Sequence, residues 1–476
     1  MGRMLNSKVL QHPEPAYPIS RTAPPVAVRN FGPVPSQFAS ASADQNAFRK
    51  LAFWATAALV FVRVGMLPET LYAAIGFNTY LLYIFTPPAM LGALFAGGIG
   101  RTLQHRAGWL WLGFFCCVLM SLPFSSWQGG SVADFKAFTE FSFPFLFLAG
   151  GAAVNWREVR TLFSALAAGG LVFVASARFL ASSDGGRVEI KSNSTIGNPN
   201  DLASHMIFVL PFLLYVALDK RKPAAIRYLM AVPAAFGIWI IFGTASRGGL
   251  IAMGVAFLFA LIRSSAKQRI GALAVVILLG ITIPLFLHGN AADRLASMFG
   301  EGEHREAQMS QDSRSYLLRM SIEYTFHHPI FGVGLGQFAN YEGGAMVASG
   351  QVGNWHETHN AFTEVSSECG IPAALFFTFA IVSAMAAVNR IYRRARKEGY
   401  TEIANTCFCY LLSMVGYLTS IVFLSNAFRF YLPIMIGLAG ALTVAAQREM
   451  AKSIATEPVR FSGMSPVPRR TRPVLP

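Results

Sequence analysis

The sequence predicts an all-α integral membrane protein with about twelve transmembrane helices, and three observations carry that prediction. Of the 476 residues, 54% are hydrophobic and only 13% are charged, whereas soluble domains carry about 25% charged residues. The apolar residues form long charge-free runs, such as 202–218 and 271–287, close to the roughly 20 residues that a helix needs to cross a bilayer. These runs are continuous rather than alternating, which predicts helices and not barrel strands. A soluble enzyme, a secreted disulfide scaffold and a disordered chain are therefore excluded.

The predicted organisation is two tails around two groups of spans and one large loop. Residues 1–50 and 448–476 contain several prolines and no apolar periodicity, so we predict disordered tails. Membrane helices fill 51–287 and 372–447. The predicted spans are 51–67, 74–98, 108–124, 136–153, 160–180, 201–218, 226–243, 248–263, 270–287, 372–389, 405–424 and 429–447.

The net charge of +15 is an orientation signal. When the N-terminus is placed in the cytoplasm and the spans alternate, most of the 39 basic residues fall in cytoplasmic segments, as the positive-inside rule requires. Both termini are then cytoplasmic. The charge needs no nucleic-acid partner to explain it, because the lipid bilayer accounts for its distribution.

This topology makes residues 288–371 a large periplasmic loop between spans 9 and 10. The loop is too long for a simple linker, and it is rich in titratable groups on an otherwise apolar chain, which is where chemistry is expected. It contains six of the nine histidines: His288, His304, His327, His328, His356 and His359.

Two short motifs face the same side as this loop. Asn198–Asp201 (NPND) directly precedes span 6, where it is either a helix start capped by Asn200 or Asp201 or the polar rim of a substrate site. Thr244–Gly249 (TASRGG) ends span 7, and its Arg247 departs from the positive-inside trend. Small neighbours would let a phosphate reach the planar guanidinium group; an arginine that snorkels to the interface is the alternative.

A third motif, His356–Asn360 (HETHN), lies near the end of the loop. Its histidines are not spaced as in the HExxH zinc motif and no third ligand is specified, so we predict no metal site. A histidine that is neutral at working pH is a natural general base for a hydroxyl group. With an ordinary pKa near ~6.5, its activity would fall as the pH drops through that value. The alternative is a solvated loop histidine.

These residues carry a resemblance. Arg314, followed by HPIFGVGLGQF (His328–Phe338), HETHNAF and ECGI, resembles the large-loop pattern of the O-antigen ligase and O-antigen polymerase family. The NPND and SRGG motifs are similar to that family too, and occur in the expected order over about residues 195–390. The resemblance implies a multi-pass enzyme of the bacterial inner membrane that transfers glycans from polyprenyl-linked donors.

The resemblance also implies roles for individual residues. His359 corresponds to the catalytic histidine that activates the acceptor hydroxyl, and Arg247 and Arg314 to arginines that bind the pyrophosphate of the donor. The further substrate-binding candidates are Asn360, Asn200 and Asp201, and the possible supporting residues are His356, Glu368 and Arg319.

The predicted function is transfer of a glycan from an undecaprenyl-diphosphate-linked donor to an acceptor hydroxyl at the periplasmic face. The enzyme would be a metal-independent, inverting glycosyltransferase of GT-C-like type without a cofactor, because two arginines can stabilise the departing pyrophosphate. The acceptor would be lipid A–core, as in a ligase, or a growing glycan, as in a repeat-unit polymerase. Transfer to a protein hydroxyl is a further alternative, and so is transport of a lipid-linked glycan, although the spans lack the midplane charges typical of transporters.

Overall fold

The computed structural model describes residues 47–184, 187–190, 195–196, 198–266, 269–271, 273–274 and 305–456. Its elements are helices together with one short antiparallel hairpin, Ser182–Asp184 (β1) and Arg187–Glu189 (β2), in which Ser182 pairs with Glu189. The helices are α1 Ala47–Val64, α2 Leu67–Ile75, α3 Leu81–Phe95, α4 Gly98–Leu103, α5 Arg106–Ser121 with a 3₁₀ turn Leu122–Phe124, α6 Gln128–Phe141, α7 Phe145–Ala152, α8 Trp156–Leu180, α9 Pro199–Leu218, α10 Ala224–Gly243, α11 Arg247–Arg263, α12 Arg305–His327, α13 Phe338–Ala348, α14 Ala361–Lys397, α15 Thr401–Ile421 and α16 Tyr431–Thr456.

Six of these helices are long and apolar enough to cross a bilayer: α5 with its 3₁₀ turn, α8, α9, α10, α14 and α15. They coincide with the predicted spans 108–124, 160–180, 201–218, 226–243, 372–389 and 405–424. The chain is therefore an all-α membrane protein. The number of twelve spans stays a prediction, because span 270–287 lies almost wholly outside the described residues.

The helix pattern separates a protein-facing side from a lipid-facing side. On α14 the buried positions recur every three or four residues and pack against α5, α15 and α16, which is the period of one helix face. They are Ala373, Phe377, Ala380, Ala384 and Val388. The opposite side exposes Leu375, Phe379 and Val382. Alanine on the buried side lets the helices approach closely, as is typical of membrane helix packing.

Three predicted spans are interrupted. The predicted span 51–67 becomes α1 and α2, which are bent by 57° where Met66 has a φ of 48°. Span 74–98 is wrong as one helix, because α2 ends at Gly76 with a φ of 70° and α3 begins only at Leu81. Span 136–153 is also wrong, because Pro144, which has no N–H group to continue a helix, separates α6 from α7.

α14 begins at Ala361, within the predicted loop, and continues through a kink at Gly370, next to the predicted boundary at 371. Gly370 has a φ of 85° and a ψ of 170°. The kink frees backbone groups that segment 329–334 satisfies: Ile371 N–H donates to the Pro329 carbonyl at 2.8 Å and Val333 N–H donates to the Ser367 carbonyl at 2.8 Å. The loop contains α12 and α13, which pack around a small core of Leu317, Tyr324, Val333 and Phe338.

The boundaries of both tails also differ from the prediction. α1 begins at Ala47 rather than 51, and α16 continues to Thr456, so the predicted start of the C-terminal tail at 448 is wrong. The apolar run ends near 447, but the helix continues because Gln447–Thr456 contains no proline or glycine to stop it. Residues 1–46 and 457–476, where the disordered tails are predicted, lie outside the described residues.

Candidate active site

The NPND motif forms the start of α9. Asn198, rather than the predicted Asn200 or Asp201, caps the helix: its Oδ1 accepts hydrogen bonds from the N–H groups of Asn200 and Asp201, both at 2.9 Å. Pro199 explains the difference. Proline is favoured at the first helical position, so the cap is the residue directly before Pro199, which is Asn198. The side chains of Asn200 and Asp201 are thereby left to make contacts outside the helix.

The TASRGG motif is the tight connection between α10 and α11. Ala245 has a φ of 46°, and Ser246 caps α11 by accepting a hydrogen bond from Gly249 N–H at 3.2 Å. Arg247 is therefore the first residue of α11, where the helix dipole favours an anion. The glycines also serve packing, because a Cβ on Gly248 would lie 2.9 Å from Phe423 Cβ and one on Gly249 would lie 2.8 Å from Ala203 Cβ.

Arg187 of β2 joins these two motifs. Its Nε donates a hydrogen bond to the Thr244 carbonyl at 2.9 Å, and its Nη2 donates to Asn200 Oδ1 at 3.2 Å. No sequence motif surrounds Arg187, so its contribution is visible only in the structure. The bridge fixes the start of α9 relative to the start of α11.

The two motifs and the large loop meet at a small pocket. α9 contributes Asn200, the start of α11 contributes Ser246, Gly248 and Gly249, and the large loop contributes Arg314. The remaining lining residues are Ser420, Phe423 and Leu424. Residues that are more than a hundred positions apart in the sequence thus line one small pocket.

Arg314 lies on α12, and a buried carboxylate fixes that helix. Glu342 of α13 is 1% exposed and accepts hydrogen bonds from Tyr316 Oη at 2.6 Å and from Tyr324 Oη. Thr325 also hydrogen-bonds with Ser366 of α14, with 2.8 Å between their Oγ atoms. Two tyrosines and a threonine therefore hold the arginine-bearing helix against the rest of the site.

The electrostatics of the pocket favour an anion. Burial lowers the pKa of Arg314, and the positive charge of Arg247 lowers it further. Within the part of the chain that the structure describes, the Arg314 side chain makes no hydrogen bond or ion pair. Two neighbouring guanidinium groups whose charges repel each other create a positive potential that an anionic group would relieve.

His359 lies within electrostatic range of Arg314. Its pKa is lowered to about 4 by burial, by the charge of Arg314 and by His356, in that order. The imidazole is therefore neutral near pH 7, as a general base must be. Its backbone has a φ of 53°, and its N–H donates a hydrogen bond to Ser425 Oγ at 2.9 Å.

The other predicted site residues lie around this centre rather than in it. Asn360 caps α14, because its Oδ1 accepts from Phe362 and Thr363 N–H at 2.9 and 3.1 Å. Glu368 accepts from Gly336 N–H at 2.8 Å and from Phe338 N–H at 3.3 Å, so it holds the glycine-rich turn before α13. Arg319 and His356 are exposed and do not line the pocket.

Residues 232–378 match the family model described as O-antigen ligase. The chain carries an O-antigen ligase domain. This confirms the resemblance that the motifs predicted, and it supports a function of the general O-antigen ligase and polymerase type for this membrane protein. A comparison with curated proteins found no match.

The O-antigen ligase domain contains Arg247, Arg314 and His359, whereas the segment 420–430, which also forms the site, lies beyond it. Asn426 Nδ2 in that segment donates a hydrogen bond to Asp201 Oδ1 at 3.0 Å. Arg429 interacts electrostatically with Asp201 and opposes the rise in the pKa of Glu357 that burial causes. Arg429 could have been found from the sequence, because it departs from the positive-inside trend as Arg247 does.

The described ranges contain no group of three or more His, Cys, Asp or Glu side chains that could hold a metal ion. The ionisable residue that lines the pocket is instead Arg314, which interacts electrostatically with Arg247 and His359. Together they can bind an anionic group and accept a proton beside it.

Proposed function

We propose that the O-antigen ligase domain transfers a glycan from an undecaprenyl-diphosphate-linked donor to an acceptor hydroxyl at the periplasmic face. The observation that carries this proposal is the pocket at which Arg314 and the start of α11 meet, where the charge of Arg247 acts on Arg314 and the charge of Arg314 acts on His359. An anion-binding centre beside a neutral base is what attack by a hydroxyl on a glycosyl diphosphate requires.

In the proposed reaction the acceptor oxygen forms a bond to the anomeric carbon while the bond from that carbon to the diphosphate oxygen breaks. His359 takes the hydroxyl proton, and undecaprenyl diphosphate leaves with the bonding electron pair. Negative charge then develops on the diphosphate, which Arg247, Arg314 and the amides at the start of α11 would stabilise without a metal ion. Displacement by a single nucleophile inverts the configuration at the anomeric carbon.

The residues that line the pocket support a separation of donor and acceptor positions. Because Arg314 and the start of α11 line it, the diphosphate would bind there and the sugar would extend toward His359. The polyprenyl tail would lie along the membrane helices. Lipid A–core is the proposed acceptor, as in a ligase, and a growing glycan is the alternative acceptor.

Deletion of the gene, followed by gel analysis of surface and lipid-linked glycans, tests the function. Loss of the ladder on lipid A–core with accumulation of lipid-linked polymer supports a ligase, whereas glycan of single-repeat length identifies a polymerase. Purified protein, donor and acceptor in detergent give the second test. A folded protein that forms no covalent product from either acceptor contradicts transfer and leaves transport as the function.

A further inference from the structure

The backbone at His359 adopts a left-handed conformation, which is unfavourable for residues other than glycine. Its φ of 53° is one of four positive values at non-glycine residues in the described chain. Such positions persist where neighbouring contacts enforce them, and they concentrate at functional sites. His359 lies between the buried Thr358, which is 2% exposed, and the helix cap Asn360.

The contact that holds this backbone comes from another part of the chain. Ser425 Oγ accepts the hydrogen bond of His359 N–H at 2.9 Å, and it lies 3.1 Å from Thr358 Oγ1, with which it forms a second hydrogen bond. Ser425 follows α15 and is 66 residues from His359 in sequence. One hydroxyl group therefore joins the histidine loop to the connection between α15 and α16.

That connection is itself fixed to other parts of the site. Asn426 Nδ2 donates to Asp201 Oδ1 at 3.0 Å, and Ala427 N–H donates to Glu364 Oε2 at 3.0 Å. Phe423, two residues before Ser425, packs on Gly248 beside Arg247. The position of the Ser425 hydroxyl is thus set relative to α9, α11 and α14 together.

The His359 side chain has no comparable support. Among the described residues the imidazole makes no hydrogen bond, although catalytic histidines are commonly oriented by a third group. The direction of the imidazole therefore depends on the backbone from which it projects, and that backbone depends on Ser425.

We infer that Ser425 is a positioning residue, which holds the left-handed backbone of His359 so that the imidazole points at the acceptor hydroxyl. This inference rests on the proposed role of His359 as the base. Ser425 touches neither donor nor acceptor in this account, and it acts only through His359. It lies outside the residues that match the O-antigen ligase family.

The Ser425→Ala variant tests the inference by kinetics with purified protein. Loss of the hydroxyl frees the His359 backbone, and a base displaced by about an ångström lowers kcat by ~10²-fold. The KM for the lipid-linked donor stays within about twofold, because the arginines are untouched. Ser425→Thr keeps the hydroxyl and restores most of kcat.

A double variant separates positioning from general destabilisation. If Ser425 acts only through His359, adding Ser425→Ala to His359→Ala lowers transfer no further, because the two residues act as a unit. Ser413→Ala is the control: Ser413 is a buried serine of α15 that donates its own hydrogen bond, to the Phe208 carbonyl at 2.8 Å, and has no hydrogen bond with the histidine loop. Its kcat should equal that of the unaltered protein.

The outcomes are distinct. Unchanged kcat in folded Ser425→Ala, or a further loss when it is added to His359→Ala, overturns the positioning role while leaving the proposed function intact. Full transfer by folded His359→Ala overturns the proposed base itself. If Ser425→Ala does not fold, Ser425→Cys replaces it, because the thiol is a weaker acceptor at the same place and should give an intermediate kcat with unchanged KM.

Discussion

The charges around His359 determine how its chemistry should respond to pH. Burial and the positive charge of Arg314 both disfavour the imidazolium form, so the pKa is about 4. The ordinary value of ~6.5 applies to an unperturbed histidine, and His359 is perturbed by both causes. Neither of these causes could be read from the HETHN motif, because Arg314 is brought to His359 by the packing of α12.

We predict that kcat/KM is insensitive to His359 ionisation from about pH 8 down to about pH 5 and falls only as the pH drops through about 4, where the imidazole gains a proton and can no longer act as a base. The measurement is kcat/KM of the purified protein against pH. Because a bound diphosphate stabilises the imidazolium form, the corresponding fall in kcat should occur at a higher pH. A fall in kcat/KM centred near ~6.5 would contradict the assignment.

The guanidinium groups of Arg247 and Arg314 should not be replaceable by ammonium groups. Lysine retains the charge but cannot make two parallel hydrogen bonds to one phosphate, so we expect Arg247→Lys and Arg314→Lys each to lower transfer by ~10²-fold, the size of a lost stabilising donor. The measurement is transfer rate per amount of folded membrane protein.

Arg319→Lys is the matched control for this prediction. Arg319 lies on the same helix as Arg314 but is exposed and does not line the pocket, so its replacement should leave transfer within about twofold, as is usual for exposed surface positions. Near-normal transfer by both of the other lysine variants would exclude the diphosphate-binding role.

At the scale of elements, the kink of α14 connects the large loop to the membrane helices. Segment 329–334 hydrogen-bonds to the helix on both sides of Gly370, and a Cβ on Gly370 would collide with the Ile330 carbonyl. The first two turns of α14 carry Asn360 at their start and Glu364 and Glu368 within. The kink therefore sets where the histidine loop and the glycine-rich turn stand relative to each other.

We predict that Gly370→Ala destabilises the fold by at least the ~1–3 kcal/mol of a strained backbone position, with the collision in addition. The measurement is the unfolding temperature of purified protein in detergent. Gly344→Ala is the control, because a Cβ there meets nothing within 4 Å and alanine is the better residue inside α13, by roughly 0.5–1 kcal/mol. Equal unfolding temperatures for the two variants would show that the kink does not require glycine.

The sequence was sufficient for some parts of this arrangement and insufficient for others. The long apolar runs predicted the six spanning helices, and the ordered motifs predicted Arg247, Arg314 and His359. The roles of Arg187 and Ser425 depend on hydrogen bonds across 57 and 66 residues, which no local pattern encodes. The kink at Gly370 was not predicted for a related reason. Glu364 and Glu368 lie on the helix before the kink, but their charges are typical of a loop, and their backbone N–H partners come from distant segments.

At the scale of the whole molecule, the candidate site and the basic connections lie at opposite ends of the helices. Arg247 begins α11 and Arg263 ends it, and the Arg263 carbonyl accepts from Arg396 at the far end of α14. At that same far end, Arg160 lies 2.9 Å from Glu402, which also pairs with Arg221. The segments that the charge bias assigns to the cytoplasm thus share ion pairs with one another.

This separation predicts the orientation of the protein. By the positive-inside rule the basic end is cytoplasmic, so the site end, with α13 and the histidine loop, is periplasmic. A reporter enzyme that is active only after export should therefore be active when fused after Gly350 and inactive when fused after Gly399. Gly399 is the matched position, because it ends α14 in an equally tight turn, with a φ of 83° against 78° for Gly350.

Activity at Gly350 alone would place Arg247, Arg314 and His359 in the compartment where lipid-linked glycans meet their acceptors under the proposed function. The reverse pattern would place them in the cytoplasm, where nucleotide sugars are the available donors, and would contradict the proposed donor. Activity at both positions would mean that the chain crosses the membrane an even number of times between residues 350 and 399. Because α14 is the helix that joins the two positions, that result would mean that α14 does not cross the membrane, and the assignment of the spans would fail with it.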